Sequence, residues 1–355
     1  MNFLLVVSLI IVVALLFKSY MLRGVWQALR SPIWTIAYAT ISIGSMLLGI
    51  LTAMHAFSDG MIDLSLTENF TIAFMISILC CELFLLIFFL LDDVFTIGIF
   101  FQKSIYKKEI VDTLDHKRRR FIKTLGLALT AIPFGSFFYG ITKGKYNFKI
   151  VEISLKFKHL PIAFDGFRIA QFSDFHAGSF DTFHKVKEGL EYLQQQSPDL
   201  ILFTGDLVND LEAEILPYKN ILKNLKAPYG KFSVLGNHDY PQDKDLFESE
   251  EAARLNFEAI KKHHNDIEFR LLNNASVKIE KGNQYIRLIG VENWGNGFVK
   301  EGDMDKAIEN CKENEFSILM SHDPTHWEEK VLSHKKHIDL TLSGHTHGAQ
   351  IGIEL

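Results

Sequence analysis

Four apolar stretches in the first 141 residues constrain the fold of this 355-residue chain more than any other feature. They cover residues 3–17, 33–57, 70–91 and 121–141. A helix needs about 20 apolar residues to cross a bilayer, so the second and third stretches are long enough and the first is short. The fourth is weaker because it contains Lys123 and Pro133. We therefore predict a membrane region at residues 1–145 with three or four transmembrane helices.

The first stretch has a second interpretation, as a cleavable signal peptide. No basic residue precedes it, and Lys18, Ser19 and Tyr20 follow it where a cleavage site would have small residues. An uncleaved membrane anchor therefore fits these residues better than a signal peptide does.

Loop charges predict how the helices cross the membrane. Basic residues lie between the first and second stretches and between the third and fourth. The loop between the second and third stretches has Asp59, Asp63 and Glu68 but no Lys or Arg. Because basic loops stay in the cytoplasm, we expect a multi-pass protein of the cytoplasmic membrane whose residues after 141 are extracytoplasmic.

Two local features of the membrane region each allow two interpretations. Residues 118–123 (R-R-R-F-I-K) resemble a twin-arginine export signal, and they equally fit an ordinary basic segment before a membrane helix. Glu82 is the one acidic residue inside an apolar stretch, which makes it a functional candidate. A carboxyl group that is protonated or paired with another helix is the simpler explanation, and we favour it.

The rest of the chain is acidic. The whole chain has 37 Lys and Arg against 42 Asp and Glu, and the first 140 residues have slightly more basic than acidic residues. An acidic domain argues against a general nucleic-acid surface, although it allows a small phosphate site built around metal cations. The three cysteines, Cys80, Cys81 and Cys311, do not form a disulfide framework.

From residue 146 onward, short apolar runs alternate with polar helical stretches. The runs, which are typical of buried strands, cover residues 167–172, 200–204, 232–235, 285–291, 316–320 and 338–342. The helical stretches cover residues 182–196, 211–225, 245–264 and 303–311. This alternation predicts an α/β domain at residues 146–355 with a largely parallel sheet covered by helices.

Potential metal ligands follow five of these runs, at the strand ends where α/β sheets place their sites. They are Asp174, His176, Asp206, Asn237, His322, His345 and His347. Carboxylates, imidazoles and an amide without any thiolate suit Mn, Fe, Zn or Mg. Seven ligands match two divalent metal ions that share one carboxylate, and such a pair clamps a phosphoryl group and lowers the pKa of a bridging water.

Each motif is weak by itself, since G-N-H-D also fits a turn and S-H-D-P also fits a helix start. Together and in this order, they resemble the signature of the calcineurin-like metallophosphoesterase superfamily, and its membrane-anchored bacterial branch in particular. The matching segments are residues 174–176 (D-F-H), 205–209 (G-D-L-V-N), 236–239 (G-N-H-D), His322 and 344–347 (G-H-T-H). The resemblance covers about residues 148–355 and implies a two-sheet sandwich flanked by helices.

The resemblance also implies roles for single residues. The first metal ion would be held by Asp174, His176, Asp206 and His347. Asp206 would bridge to a second ion, which would be held by Asn237, His322 and His345. His238 would be the general acid that protonates the leaving oxygen, with Asp239 orienting its imidazole. Asn209 would support the metal site or contact substrate.

These observations predict a phosphatase or phosphodiesterase that uses a hydroxide bridging two divalent metal ions at the outer face of the cytoplasmic membrane. Its expected partners are membrane lipid and a phosphoester, including a lipid-linked or wall-linked one. Nucleic acid is not expected, because the acidic domain lacks an aromatic and basic strip. The sequence does not predict the oligomeric state.

Two other functions stay open. One is a cytoplasm-facing hydrolase of a nucleotide-linked lipid, such as a lipid A precursor, which requires the opposite topology. The other is a non-catalytic metal-binding scaffold, against which the intact His238 argues. Family members usually continue through further strands after the last motif, whereas this sequence ends at Leu355. Either this branch is short or the domain is truncated at its C-terminus.

Overall fold

The computed structural model describes residues 3–58, 66–102, 108–241 and 246–347. Contacts within the chain divide it into two compact units, Met1–Asn147 and Phe148–Leu355. In the described residues of the first unit the regular structure is helical, and the second unit combines strands with helices. Parts of the loops whose charges predict the orientation, residues 59–65 and 103–107, lie outside the described residues.

The described residues of the first unit form four long helices. They are α1 (Phe3–Leu29), α2 (Pro32–Ser58), α3 (Leu66–Gln102) and α4 (Lys108–Thr142). Among the described residues, the segments long and apolar enough to cross a membrane are Pro32–His55, Phe70–Phe100 and Asp115–Gly140. The first predicted stretch, residues 3–17, is the beginning of a 27-residue helix that continues through Lys18.

A buried polar cluster connects α1, α2 and α3. The ammonium of Lys18 lies 2.6 Å from Oε2 of Glu82, and both side chains are almost completely buried. Oε1 of the same carboxylate accepts hydrogen bonds from Ser42 (2.5 Å) and Tyr38 (2.6 Å). Lys18 also donates to Oγ of Ser42 at 2.9 Å. Glu82 is therefore a helix-paired carboxylate, as the simpler explanation expects.

The stretch that resembles an export signal lies inside α4. Arg118 and Arg119 are 3.0 and 3.4 Å from the buried carboxylate of Asp92 on α3. These ion pairs favour the interpretation of the stretch as a basic segment of a membrane helix.

In the second unit, the described residues form two four-stranded sheets. The first sheet is parallel and consists of β1 (Ile169–Phe172), β2 (Leu200–Phe203), β3 (Lys231–Ser233) and β4 (Arg270–Leu271). The second consists of β5 (Ala275–Lys281), β6 (Gln284–Gly290), β7 (Ser317–Met320) and β8 (Leu340–Leu342). In this sheet β5 is antiparallel to β6, whereas β6, β7 and β8 are parallel.

Apolar side chains of the two sheets form a shared core. Leu200 and Leu202 of the first sheet belong to one buried cluster with Leu288 and Ile318 of the second. Because strand side chains alternate between faces, the next residue of β2, Phe203, lies on the opposite face, where its ring is 6.4 Å from that of Phe269. Burial on both faces explains why these strands read as continuous apolar runs.

Helices cover the outer faces of the sheets. They are α5 (Phe183–Gln195), α6 (Lys219–Lys223), α7 (Glu250–Asp266) and α8 (Met304–Ala307). Helix α7 begins after Ser249, whose hydroxyl accepts a hydrogen bond from the N–H of Ala252 at 3.1 Å. The fold is therefore a two-sheet sandwich flanked by helices after a membrane region, as predicted.

Some predicted elements differ from the structure. The predicted helix at 211–225 is a 3₁₀ helix, Glu212–Tyr218, followed by the short α6, because Pro217 cannot donate the hydrogen bond that an α-helix requires. The predicted helix at 303–311 contains only the four-residue α8. Strands β4 and β5 were not predicted, although β5 has the alternating burial of a strand with one covered face.

Candidate metal centre

Five of the predicted site residues lie in sharp turns that follow strands, with their backbones in the left-handed region. Their φ angles are 53° for Asp174, 44° for His176, 59° for Asp206, 70° for His345 and 51° for His347. Non-glycine residues rarely adopt this conformation, and those that do concentrate at functional sites. The strained turns therefore support a functional role for these strand ends.

Two glycines allow the turns to approach one another. A Cβ atom at Gly236 would collide with the carboxylate of Asp206. A Cβ atom at Gly344 would collide with the side chains of Ser173 and Asp174. Gly236 has an ordinary φ of −101°, so the reason for glycine there is close approach and not an unusual backbone angle.

Four side chains in the turns that follow β1, β2 and β8 form a first group of potential metal ligands. These are Asp174, His176, Asp206 and His347, with one ligand atom of each within 4.8 Å of the others. Nε2 of His176 lies 3.3 Å from Nε2 of His347 and 3.5 Å from Oδ2 of Asp206. Nε2 of His347 is also 3.4 Å from Oδ1 of Asp174.

A second group shares Asp206 with the first and includes His322 and His345. Nε2 of His322 lies 3.1 Å from Oδ2 of Asp206. The amide oxygen of Asn237 is 3.2 Å from this nitrogen and 2.8 Å from Nδ1 of His345. All seven predicted ligands are therefore brought together, in two groups that have one carboxylate in common.

Hydrogen-bond partners orient the imidazole rings of the site. Nδ1 of His322 donates to the carbonyl of Thr204 at 2.7 Å, and Nδ1 of His176 is 3.0 Å from Oδ1 of Asn209. A neutral imidazole carries only one proton. When that proton is on Nδ1, the other nitrogen, Nε2, which points into the ligand group, is unprotonated and can bind a metal ion. Carboxylate oxygens and unprotonated imidazole nitrogens are the ligands that divalent metal ions of the Mn, Fe and Zn type prefer, so the residues fit such ions.

The charges of the site influence one another strongly. Burial raises the pKa of the Asp206 carboxyl, but the hydrogen bond and charge of His322 hold it below its usual value. Burial lowers the pKa of His322, whereas the hydrogen bond to Asp206 and its charge raise it to about 9. Burial also holds the pKa of His176 below its usual value. The shared carboxylate thus favours the charged form of His322, whereas at His176 the effect of burial on the pKa is the larger one.

The predicted general acid, His238, lies beside the first group. Its ring centroid is 4.8 Å from that of His176. Nδ1 of His238 is 2.9 Å from the backbone carbonyl of Asn209. Because a carbonyl can only accept, Nδ1 carries a proton, and Nε2 is left as the nitrogen that exchanges one.

The predicted role of Asp239 needs correction, because its carboxylate has other partners than the His238 ring. It accepts hydrogen bonds from the backbone N–H groups of Asp206 (3.1 Å), Leu207 (2.8 Å) and Gly236 (2.8 Å). Burial and the charge of Asp206 raise the pKa of Asp239 to about 7. Asp239 therefore fixes the two turns that carry Asp206 and Asn237. The backbone carbonyl of Asn209 orients the imidazole of His238.

Two acidic residues near the site were not predicted. Oε2 of Glu214 accepts from the N–H groups of Gly178 (2.9 Å) and Asn209 (2.6 Å), and Oε1 accepts from the next two residues of the loop. Oδ2 of Asp323 is 3.6 Å from Nε2 of His345. The sequence signal for Glu214 was its position three residues after the start of a helical stretch, where Glu commonly caps backbone N–H groups.

Comparison with known proteins agrees with this geometry. The model of the family described as calcineurin-like phosphoesterase matches residues 167–349, which is about half of the chain. A second model, described as a probable calcineurin-like phosphoesterase transmembrane domain, matches residues 1–145.

Several curated proteins are similar to the chain. The metallophosphoesterase YkuE of Bacillus subtilis is 28% identical over 242 residues, which cover 66% of this chain and 78% of that protein. A zebrafish (Danio rerio) transmembrane protein with a metallophosphoesterase domain is 27% identical over 60% of this chain and 47% of its own length. The UDP-2,3-diacylglucosamine pyrophosphatase LpxG of Chlamydia trachomatis is 30% identical over 56% of this chain and 67% of its length. The strand-end ligands, the two-sheet fold and the family match agree, and the chain belongs to the calcineurin-like phosphoesterase family.

Proposed function

We propose that the chain hydrolyses phosphomonoesters or phosphodiesters by attack of water on phosphorus, with two divalent metal ions bound at the shared carboxylate. The observation that carries this proposal is the sharing of Asp206 by two groups of ligands drawn from five strand ends. A single ion needs four to six ligands, whereas seven potential ligands around one carboxylate suit a pair.

The two groups of side chains would divide the ions between them. Asp174, His176, Asp206 and His347 would hold one, and Asp206, Asn237, His322 and His345 the other. When bound, such ions neutralise charge on the phosphoryl oxygens and lower the pKa of the attacking water. The hydrogen bonds of His176 and His322 hold their ligand nitrogens in place before substrate arrives, which limits reorganisation during the reaction.

His238 would supply the proton that the leaving oxygen needs. As the bond between phosphorus and the leaving oxygen breaks, Nε2 of a protonated His238 donates its proton, and the ring becomes neutral. Its Nδ1 hydrogen bond to the Asn209 carbonyl is present in both states and fixes the ring orientation. A general acid positioned in this way typically contributes a rate factor of about 10² to 10⁴.

The membrane region suggests where substrate is found. Helices long enough to span a bilayer precede the catalytic unit, which supports a lipid-linked or wall-linked phosphoester as substrate. The basic loops support a catalytic unit at the outer face of the cytoplasmic membrane.

A second candidate function comes from one of the relatives. LpxG is named as a pyrophosphatase of UDP-2,3-diacylglucosamine, a nucleotide-linked lipid. The same arrangement of ligands would serve a pyrophosphate bond, so a nucleotide-linked glycolipid is the alternative substrate class. A cytoplasm-facing catalytic unit would be required for a substrate made there.

A metal add-back assay tests the proposal. The full chain in detergent is stripped with a chelator and assayed with p-nitrophenyl phosphate, bis(p-nitrophenyl) phosphate and UDP-2,3-diacylglucosamine. We expect Mn²⁺ to restore hydrolysis of at least one substrate and the His238→Ala variant to lose most of it. Metal binding without turnover of any of the three would favour the non-catalytic scaffold.

Protease accessibility in intact spheroplasts tests the membrane side separately. Cleavage of the unit Phe148–Leu355 from outside is the expected result. Full protection, with cleavage only after lysis, would instead favour the cytoplasm-facing alternative.

We expect Glu214→Gln to lower kcat by about 10 to 100-fold, the range seen when groups that support metal ligands are removed. Gln has one acceptor oxygen, so it cannot hold all four N–H groups that position the loop of Asn209. Steady-state kinetics over a range of Mn²⁺ concentrations would measure the change. Glu212→Gln is the matched control, because Glu212 contacts His263 at 2.6 Å, away from the ligand groups. Equal losses in both variants would contradict the role of Glu214.

A further inference from the structure

One carboxylate of the membrane unit is surrounded by three cations. Asp92 of α3 is fully buried, and its Oδ1 lies 3.0 Å from Nη2 of Arg118. Its Oδ2 lies 3.4 Å from Nε of Arg119 and 3.1 Å from Nζ of Lys123, all on α4. We call these four residues the Asp92 cluster.

The cluster lies at the end of the bundle where α3 finishes and α4 begins. Asp92 is in the last third of the candidate span Phe70–Phe100, and Arg118 is in the first turn of the span Asp115–Gly140. Lys123 also donates to Gln27 near the end of α1. This is the end to which the sequence assigns the basic loops and the cytoplasmic side.

Among the described residues, the contacts of the cluster contain three positive groups and two negative groups. The three cations meet the carboxylates of Asp92 and Asp115, the latter 2.8 Å from Nη2 of Arg118. The neighbouring Asp93 accepts a hydrogen bond from Tyr20 at 2.7 Å, on the side of α1. An uncompensated cation at this depth is costly, and a bound anion would offset the cost.

Hydrogen bonding within the cluster is incomplete, since Oδ2 of Asp92 and Oδ1 of Asp115 accept no hydrogen bond from the described residues. Nε and Nη1 of Arg118 have no acceptor among the described residues. Arg119 makes one contact with the described part of the chain, the 3.4 Å approach to Asp92, and a quarter of its side chain is exposed. Guanidinium groups with spare donors are well suited to phosphate oxygens.

We propose that the Asp92 cluster binds the phosphate of an anionic phospholipid. Arg119 would make the direct contact with the phosphate, and Asp92, which contacts all three cations, would hold them together. Basic pockets between transmembrane helices are known to hold anionic head groups on the cytoplasmic side.

Apolar surface beside the cluster favours a lipid phosphate over free phosphate. The guanidinium of Arg118 lies 5.6 Å from the ring centroid of Phe95. Phe95 is 54% exposed and Val94 is 66% exposed, on a helix that spans the membrane. Acyl chains attached to the phosphate would cover these side chains, whereas a free anion would leave them uncovered.

Native mass spectrometry of the full chain tests this site. Protein is released from nanodiscs containing equal amounts of phosphatidylglycerol and phosphatidylethanolamine with the same acyl chains. We expect wild type to retain phosphatidylglycerol preferentially, and Arg119→Gln to lower the preference about fivefold, as for one basic residue near an anionic surface. Arg120→Gln is the matched control, because Arg120 is exposed and lies next in sequence. Arg119→Lys, which keeps the charge, should retain most of the preference.

Three results would overturn the proposal. The first is equal retention of the two lipids by wild type, a measurement that needs no variant. The second is an equal loss in Arg119→Gln and Arg120→Gln, which would assign the preference to general surface charge. The third is removal of bound phosphatidylglycerol by 20 mM inorganic phosphate, which would identify a site for the free anion.

Discussion

Replacing Asp206 by Asn is expected to lower phosphoester hydrolysis by at least about 10³-fold. The reason is that this one carboxylate belongs to both ligand groups, with Oδ2 lying 3.5 Å from His176 and 3.1 Å from His322. Asn keeps one oxygen but loses the negative charge that would balance the two proposed metal ions. Charge stabilisation by catalytic metal ions is worth several kcal/mol, which corresponds to a factor of this size.

The measurement is kcat with saturating Mn²⁺, together with the metal content of the same samples. Asp165→Asn is a suitable control, because it makes the same chemical change at an exposed position outside the ligand groups. Activity of Asp206→Asn within tenfold of wild type would contradict the shared-carboxylate arrangement.

Breaking the ion pair of the membrane unit is expected to be the largest effect on stability. Glu82→Leu leaves the Lys18 ammonium buried without its carboxylate and removes the acceptor for Tyr38 and Ser42. Loss of one partner of a buried ion pair costs about 3–5 kcal/mol. We expect a decrease of this size in the free energy of unfolding of the full chain in bicelles.

A double variant separates the ion pair from general packing at this position. Lys18→Met combined with Glu82→Leu replaces both charges by apolar side chains, and it should recover most of the stability that Glu82→Leu loses. If the losses of Lys18→Met and Glu82→Leu instead add up in the double variant, the two side chains do not act as a pair.

The gathering of the candidate ligands at one edge of the sandwich could be predicted from sequence, because fold and chemistry are coupled at strand ends. Each buried run reads as a strand, and the residue types that follow it are those that bind metals. The parallel arrangement then brings the ends to one edge, where Asp206 and His322 lie 3.1 Å apart although they are far apart in sequence. Neither the left-handed backbone of Asp206 nor the close approach of Gly236 was predicted, since both depend on how the turns pack.

The supporting residues were harder to predict, because their role depends on backbone groups that sequence does not reveal. Asp239 was expected to hold the His238 ring, yet three backbone N–H groups surround its carboxylate. The carboxylate of Glu214 accepts hydrogen bonds from four backbone N–H groups, although the sequence around it resembles an ordinary helix start. Backbone hydrogen bonds of loops follow from tertiary structure and leave little pattern in the sequence.

The partner of Glu82 was missed for a different reason. Lys18 follows the first apolar stretch and was therefore counted among the basic residues of the loop, whereas α1 continues to Leu29 and Lys18 contacts Glu82 of α3. An apolar stretch indicates where hydrophobic residues are, but an α-helix makes its backbone hydrogen bonds internally and can continue past a polar residue whose side chain finds partners on neighbouring helices. Buried polar residues that pair across helices therefore lie outside what a hydropathy pattern predicts.

The most direct test of the central claim is an anomalous difference map at the manganese edge from crystals of the full chain grown with Mn²⁺. We predict two peaks that share Asp206. One peak should contact Asp174, His176 and His347, and the other should contact Asn237, His322 and His345. A single peak, or peaks that do not contact Asp206, would contradict the assignment of a two-metal phosphoesterase site to this edge of the sandwich.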